Sequence, residues 1–232
     1  MQNNISILCT RPLNKPIVEE AQQKGITIDE ISFIETEAIK SIEVKQEIEQ
    51  AAKKIVTVAF TSMNAVEAVA DYLDGQAVEW KIYCMGTTTN LLVKKYFRAQ
   101  HLAGIANNAA ELAELITADF MIDDVIFFCG DQRRDELPQL LRTNHIDVTE
   151  ITVYNTIAVL HTIEKTYQGI LFFSPSAVES FFRNNKLPDA TILFAIGSTT
   201  AKEIKKYSTN KIIISDQPGK ENLVLKMVEY FG

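Results

Sequence analysis

Several short runs along the chain are almost wholly apolar: ISILC (5–9), IVTVAF (55–60), KIYCM (81–85), DVIFFC (124–129), GILFF (169–173), TILFAI (191–196) and KIIIS (211–215). None alternates polar with apolar residues, so each reads as a strand buried on both faces, the pattern of a parallel sheet. Between them, apolar positions recur at helical spacing over 65–73, 91–96, 109–116, 178–182 and 223–231. Strand followed by helix, repeated, predicts an α/β fold.

The pattern also repeats itself. FTSMNAVEAVADYL from Phe60 resembles FFSPSAVESFFRNN from Phe172, and YCMGTTTNLLVKKY from Tyr83 resembles FAIGSTTAKEIKKY from Phe194. NAAELAELI from Asn108 resembles GKENLVLKMV from Gly219. The three pairs are separated by about 110 residues and keep their order, which marks a duplication. A weaker match joins SILCTRP with IFFCGDQ, each an apolar strand ending in Cys and a turn. The chain therefore reads A, B, A′, B′, with A and A′ short β-α-β pieces and B and B′ of three β-α units each. The repeat leaves open whether A packs with B or with B′. Glu35 to Ser41 and Val153 to Thr162 are β-compatible and poor in glycine and proline, so they read as ordered crossings between halves.

Composition adds limits. With 232 residues, 47% of them hydrophobic, the chain can fill one large core or two modest ones. A net charge of −7 argues against sequence-independent binding to nucleic acid or to an anionic membrane, while leaving room for a small anion held by local positive groups. Cys9, Cys84 and Cys129 stand far apart, which fits neither a disulfide framework nor a zinc site and points to a reducing, cytoplasmic setting. His101, His145 and His161 lack a second ligand at metal spacing, so no metal is expected. There is no GxGxxG after the first strand, no GxxxxGK[ST] and no GxSxG, which removes dinucleotide, P-loop and hydrolase readings. The apolar stretch at the start is too short for a signal peptide, and no run reaches the ~20 residues of a membrane span.

What remains is a set of hydroxyls where strands are expected to end: Thr10, Thr61 and Ser62, Thr87 to Thr89, Ser174 and Ser176, and Ser198, Thr199 and Thr200. Each has a structural reading as a helix N-cap. Ser174 before Pro175 fits a cap with proline at the first helical position, and Thr200 with Glu203 fits a capping box. Together they gather helix N-termini at the carboxyl ends of strands, where open α/β sheets bind ligands and where free N–H groups suit carboxylates or phosphates. Arg11 and Arg134 are the candidate cations, with a solvated surface position as the competing reading for each.

At FTSMNAVEAV, GDQRRDELPQLL, VYNT, FFSPSAVESF and AIGSTTAKEI the chain resembles the uroporphyrinogen-III synthase family, in the family's order and over essentially its whole length. The resemblance implies two flavodoxin-like α/β domains with parallel sheets, duplicated and segment-exchanged, joined by a two-stranded connection. One domain would hold residues 1–34 and 160–232 and the other 35–159, with the active site in the cleft between them. It implies a hydro-lyase of tetrapyrrole (haem) biosynthesis that works without cofactor or metal; separately from the resemblance, a monomer is expected. The substrate would be hydroxymethylbilane, a linear tetrapyrrole with eight carboxylates, closed through a spiro intermediate to uroporphyrinogen III with ring D inverted. The tyrosine of the family's VYxT motif falls on Tyr154, a candidate for assisting departure of the hydroxyl. The family's glycine-and-threonine turns fall on Gly86 with Thr89 and on Gly197 with Thr199 and Thr200. Its FTSPS-type loop falls on Phe173 to Ser176, with Phe173 in place of the usual threonine, and in the other copy Met63 replaces the common proline. The alternative is a non-catalytic two-domain α/β protein that binds a polycarboxylate.

Overall fold

The structure is a computed structural model describing residues 5–217 and 219–232. In chain order it begins β1 (Ile5–Cys9), α1 (Lys15–Gln23), β2 (Ile26–Glu30), β3 (Ile34–Ala38), α2 (Ile42–Ala52), β4 (Val56–Phe60) and α3 (Met63–Leu73). It continues β5 (Trp80–Met85), α4 (Thr87–Phe97), β6 (Leu102–Ala106), α5 (Ala109–Thr117), β7 (Asp124–Gly130), α6 (Glu136–Thr143) and β8 (Asp147–Ala158). The last elements are β9 (Gly169–Phe172), α7 (Pro175–Asn184), β10 (Ile192–Ala195), α8 (Ser198–Ile204), β11 (Ile212–Ile214) and α9 (Lys220–Phe231). The chain divides into two compact units, Met1–Glu35 with Ile157–Gly232, and Thr36–Thr156.

The first unit is built on a five-stranded sheet ordered β11-β10-β9-β1-β2, and the second on a sheet ordered β3-β8-β7-β4-β5-β6. Read from opposite ends, β11-β10-β9-β1-β2 matches β6-β5-β4-β7-β8. These are the elements that the sequence repeat pairs, so each sheet combines the three-strand piece of one copy with the two-strand piece of the other. The N-terminal strand β1 lies parallel between β2 and β9, with Ile7 opposite both Ile28 and Gly169.

Both faces of each sheet are covered, which is why the strands carry no polar alternation. In the first unit Ile7, Cys9, Leu171 and Phe194 pack against Ala21, Leu223 and Met227. Their neighbours along the strands, Leu8, Ile170, Phe172 and Leu193, pack against Phe181, Ala201 and Ile204 on the other face. The second unit repeats this layering, with Val58, Phe60, Ile82 and Phe128 facing Ile48, Val66 and Val93. Phe60 stacks on Phe128 at 5.5 Å, and Trp80 covers Phe128 while donating its indole N–H to the Ala51 carbonyl at 2.9 Å. A fully buried aromatic of this kind contributes about 2–3 kcal/mol, provided its polar edge is bonded as it is here.

The two crossings are hydrogen-bonded to each other. Ile39 N–H donates to the Val153 carbonyl and Val159 N–H to the Phe33 carbonyl, each at 2.9 Å. One position rises as the other falls, so the connection is two-stranded and antiparallel. The first crossing ends where the Ser41 side chain accepts the Val44 N–H at 3.2 Å and starts α2.

Candidate active site

The second unit gathers its polar groups around one bulge. β7 and β8 pair in step as far as Cys129 opposite Thr152, after which Gly130 faces Tyr154 rather than Val153. The extra residue turns Tyr154 to the face it would otherwise leave, so that it packs with Val153 and Ile151 on the side of α3. The ring lies on Gly130, where an added Cβ would sit 2.5 Å from Tyr154 Cε2 and 2.7 Å from its oxygen. Asp131 fixes the end of β8, its N–H donating to the Tyr154 carbonyl at 3.1 Å and its carboxylate accepting the Thr156 N–H at 2.8 Å.

Tyr154 Oη donates to Ser62 Oγ at 3.1 Å. Ser62 follows β4 and caps α3, accepting the Asn64 N–H at 3.2 Å. Burial pushes the Tyr154 phenol above its ordinary value, and hydrogen bonding with Ser62 and with the Asn64 side chain works against that rise. A small hollow of about 180 Å³ beside the ring is lined by Thr36, Ala38, Asn64, Glu67, Asp71 and Tyr154, among other residues. Thr61 is half-buried next to Ser62. Thr89 lies inside α4, whose cap is Gly86, and its side chain is buried. Arg134 is exposed between β7 and α6, and it is Arg133 beside it that pairs with Asp135 and Glu150.

The first unit carries the repeat of these loops with different contents. Thr10 does not open a helix: it is buried, and both its N–H and its hydroxyl donate to the Leu171 carbonyl, at 3.1 and 2.8 Å. This ties the turn after β1 to β9. Arg11 is not a solvated surface arginine. Its guanidinium lies 5.7 Å from the centre of the Phe173 ring, and its Nε is buried without a hydrogen-bond partner. Burial lowers the pKa of Arg11, and burial followed by repulsion from Arg11 lowers that of Lys220 at the start of α9. Ser174 caps α7 by accepting the Ala177 N–H at 3.2 Å, with Pro175 in the first turn, and its oxygen lies 3.1 Å from Ser176 Oγ. The capping box expected of Thr200 does not form, because Gly197 is the cap of α8. Ser198 and Thr199 are exposed in the first turn, while Thr200 points into the core.

The structure thus joins Ser62 to Tyr154 and Ser174 to Ser176, and it leaves Arg134 without an ion pair among the described residues. Three neighbours escaped the sequence reading: Gly130, Asn64 and Lys220. Gly130 stands in the GDQRRDELPQLL segment and Lys220 directly follows the Gly219 of the third repeat, whereas nothing in the sequence marks Asn64 as a partner of residue 154. Among the described residues no group of three His, Cys, Asp or Glu side chains could hold a metal ion, and no helix is long and apolar enough to cross a membrane.

Fold and loops together define a duplicated, segment-exchanged α/β protein whose polar groups collect at the carboxyl ends of parallel strands. The family model described as uroporphyrinogen-III synthase matches residues 15–224. The chain belongs to the uroporphyrinogen-III synthase family. It is 25% identical to the porphyrin biosynthesis protein HemD of Ruminiclostridium josui, over 97% of this chain and 48% of that protein, so it spans about half the length of that relative. It is 22% identical to the uroporphyrinogen-III synthase of Schizosaccharomyces pombe, over 93% of this chain and 92% of that one. Among solved structures, the uroporphyrinogen-III synthetase of Helicobacter pylori shares its fold with a TM-score of 0.67 at 15% identity, covering 97% and 99% of the two chains. A mutant uroporphyrinogen III synthase of Thermus thermophilus does so with a TM-score of 0.61 at 13% identity, covering 98% of each.

Proposed function

We propose that this chain is a uroporphyrinogen-III synthase, a hydro-lyase that closes hydroxymethylbilane to uroporphyrinogen III with inversion of ring D and loss of water. The observation that carries this reading is the extent of the family match, which runs through both units and takes in Ser62, Arg134, Tyr154, Ser174 and Thr199. The chemistry suits the groups present. The terminal pyrrole expels the hydroxyl with its own nitrogen lone pair, so the protein has to protonate the departing oxygen, hold the chain in register and keep water away from the cation. Tyr154, protonated throughout the neutral range, is the proposed source of that proton. Carboxylates of the substrate are proposed to meet Arg11, Arg134, the hydroxyls of Thr61, Ser174, Ser176, Ser198 and Thr199, and the N–H groups around them, whereas the hydroxyls of Thr10, Thr89 and Thr200 are buried and leave only their backbones to the ligand. The reaction as written needs neither cofactor nor metal, and the protein is proposed to act as a cytoplasmic monomer on this small molecule. Incubation of the pure protein with hydroxymethylbilane, followed by separation of isomers, tests the reading. Type III product in excess supports it, and only the spontaneously formed type I isomer refutes it.

A further inference from the structure

The hydroxyls beside Gly130 form a chain with a direction. Tyr154 donates its proton to Ser62 Oγ at 3.1 Å, and the same oxygen accepts the Asn64 N–H at 3.2 Å. A serine oxygen has two acceptor sites and one proton of its own. Both acceptor sites are taken, and among the described residues no acceptor holds the remaining serine proton. The proton free to leave the pair therefore belongs to Ser62, while the phenol's is committed to Ser62. The matching loop of the other copy shows that this is not a requirement of the fold. Ser174 also caps its helix, accepting the N–H three residues on rather than two, but meets Ser176 instead of a phenol.

We infer that Ser62 delivers the proton to the departing oxygen and that Tyr154 replaces it. The inference rests on the synthase reading above. As the C–O bond breaks, its electron pair leaves with oxygen, which takes the Ser62 proton and departs as water. The Tyr154 proton moves to Ser62 along their hydrogen bond and leaves a phenolate. When ring D has closed the macrocycle and regains aromaticity, it loses the proton on its terminal carbon, and that proton restores the phenol. The sum is loss of one water, with nothing oxidised or reduced.

The relay makes Ser62 the catalytic residue and Tyr154 a group that acts through it. Steady-state turnover of hydroxymethylbilane by Ser62→Ala, Tyr154→Phe and the double variant tests this. Each single change is expected to lower kcat about 100-fold, within the usual range for general acid assistance, with KM nearly unchanged. The double variant should be no slower than either single one, because both remove the same proton path. Ser62→Thr, which keeps hydroxyl and cap, should recover most of kcat. If Ser62→Ala folds poorly for want of its cap, Ser62→Gly serves instead, since glycine is tolerated at that position. Wild-type kcat in Ser62→Ala alongside a slow Tyr154→Phe would make the phenol the direct donor and overturn the relay. Losses that multiply in the double variant would overturn it too. Wild-type protein that forms no type III isomer would refute the synthase reading itself, an outcome distinct from both.

Discussion

The hydroxyl end of the Tyr154 ring lies against Gly130, where nothing larger than glycine fits: a Cβ would approach Cε2 to 2.5 Å. The backbone of Gly130 has no positive φ, so alanine is conformationally acceptable and only the ring obstructs it. Gly130→Ala should therefore move the phenol away from Ser62 and lower turnover as Tyr154→Phe does. Its stability cost should be about 1–3 kcal/mol, the size of an overpacked site. The double-mutant cycle with Tyr154→Ala checks the cause, because in that background Gly130→Ala should cost almost nothing on thermal unfolding.

Arg11 and Lys220 hold two half-buried positive charges near one another. No carboxylate is ion-paired with either among the described residues. An anionic ligand at this place would relieve the repulsion. Arg11→Gln should raise KM about tenfold, the ~1.5 kcal/mol of a charge-assisted hydrogen bond, and the difference from wild type should shrink as salt rises. An unchanged KM would leave the guanidinium to its packing on Phe173.

The buried thiols predict alkaline instability. Burial pushes Cys9 up to about 12 and Cys84 up to about 11, and it raises Cys129 as well. These groups are raised in the folded state, so above the ordinary thiol range the unfolded chain releases protons that the folded chain keeps. Their contribution to stability is whole below that range and declines as pH rises through the folded values. The urea midpoint should fall between pH 8 and pH 10, and less steeply in Cys9→Ala and Cys84→Ala. A thiol reagent should react only as fast as the protein opens.

The sheets were legible because a doubly covered parallel strand has no polar face to hide, so ISILC, DVIFFC and GILFF betray themselves. Legible too was the duplication, since equal segments recur in equal order. The orientation of Tyr154 was not: strict alternation along ITVYNT puts it on the face opposite Val153, and a one-residue bulge against Gly130 reverses that. Arg11 read as a surface residue because its aromatic partner, Phe173, is distant in sequence and only meets it through the pairing of β1 with β9. Thr89 and Thr200 looked like cap or ligand hydroxyls, yet glycine caps at 86 and 197 place both within the first turn of their helices, facing inward.

The hydroxyl pair of Ser62, at the cap of α3, and Tyr154, on β8, is proposed to speed loss of water on the way to a type III macrocycle. Rate and isomer of the product formed from hydroxymethylbilane should be measured together, for the wild-type protein and for Tyr154→Phe. Type III product is expected from both, with the variant about 100-fold slower. Type I product from the wild-type protein, or equal rates for the two, would contradict it.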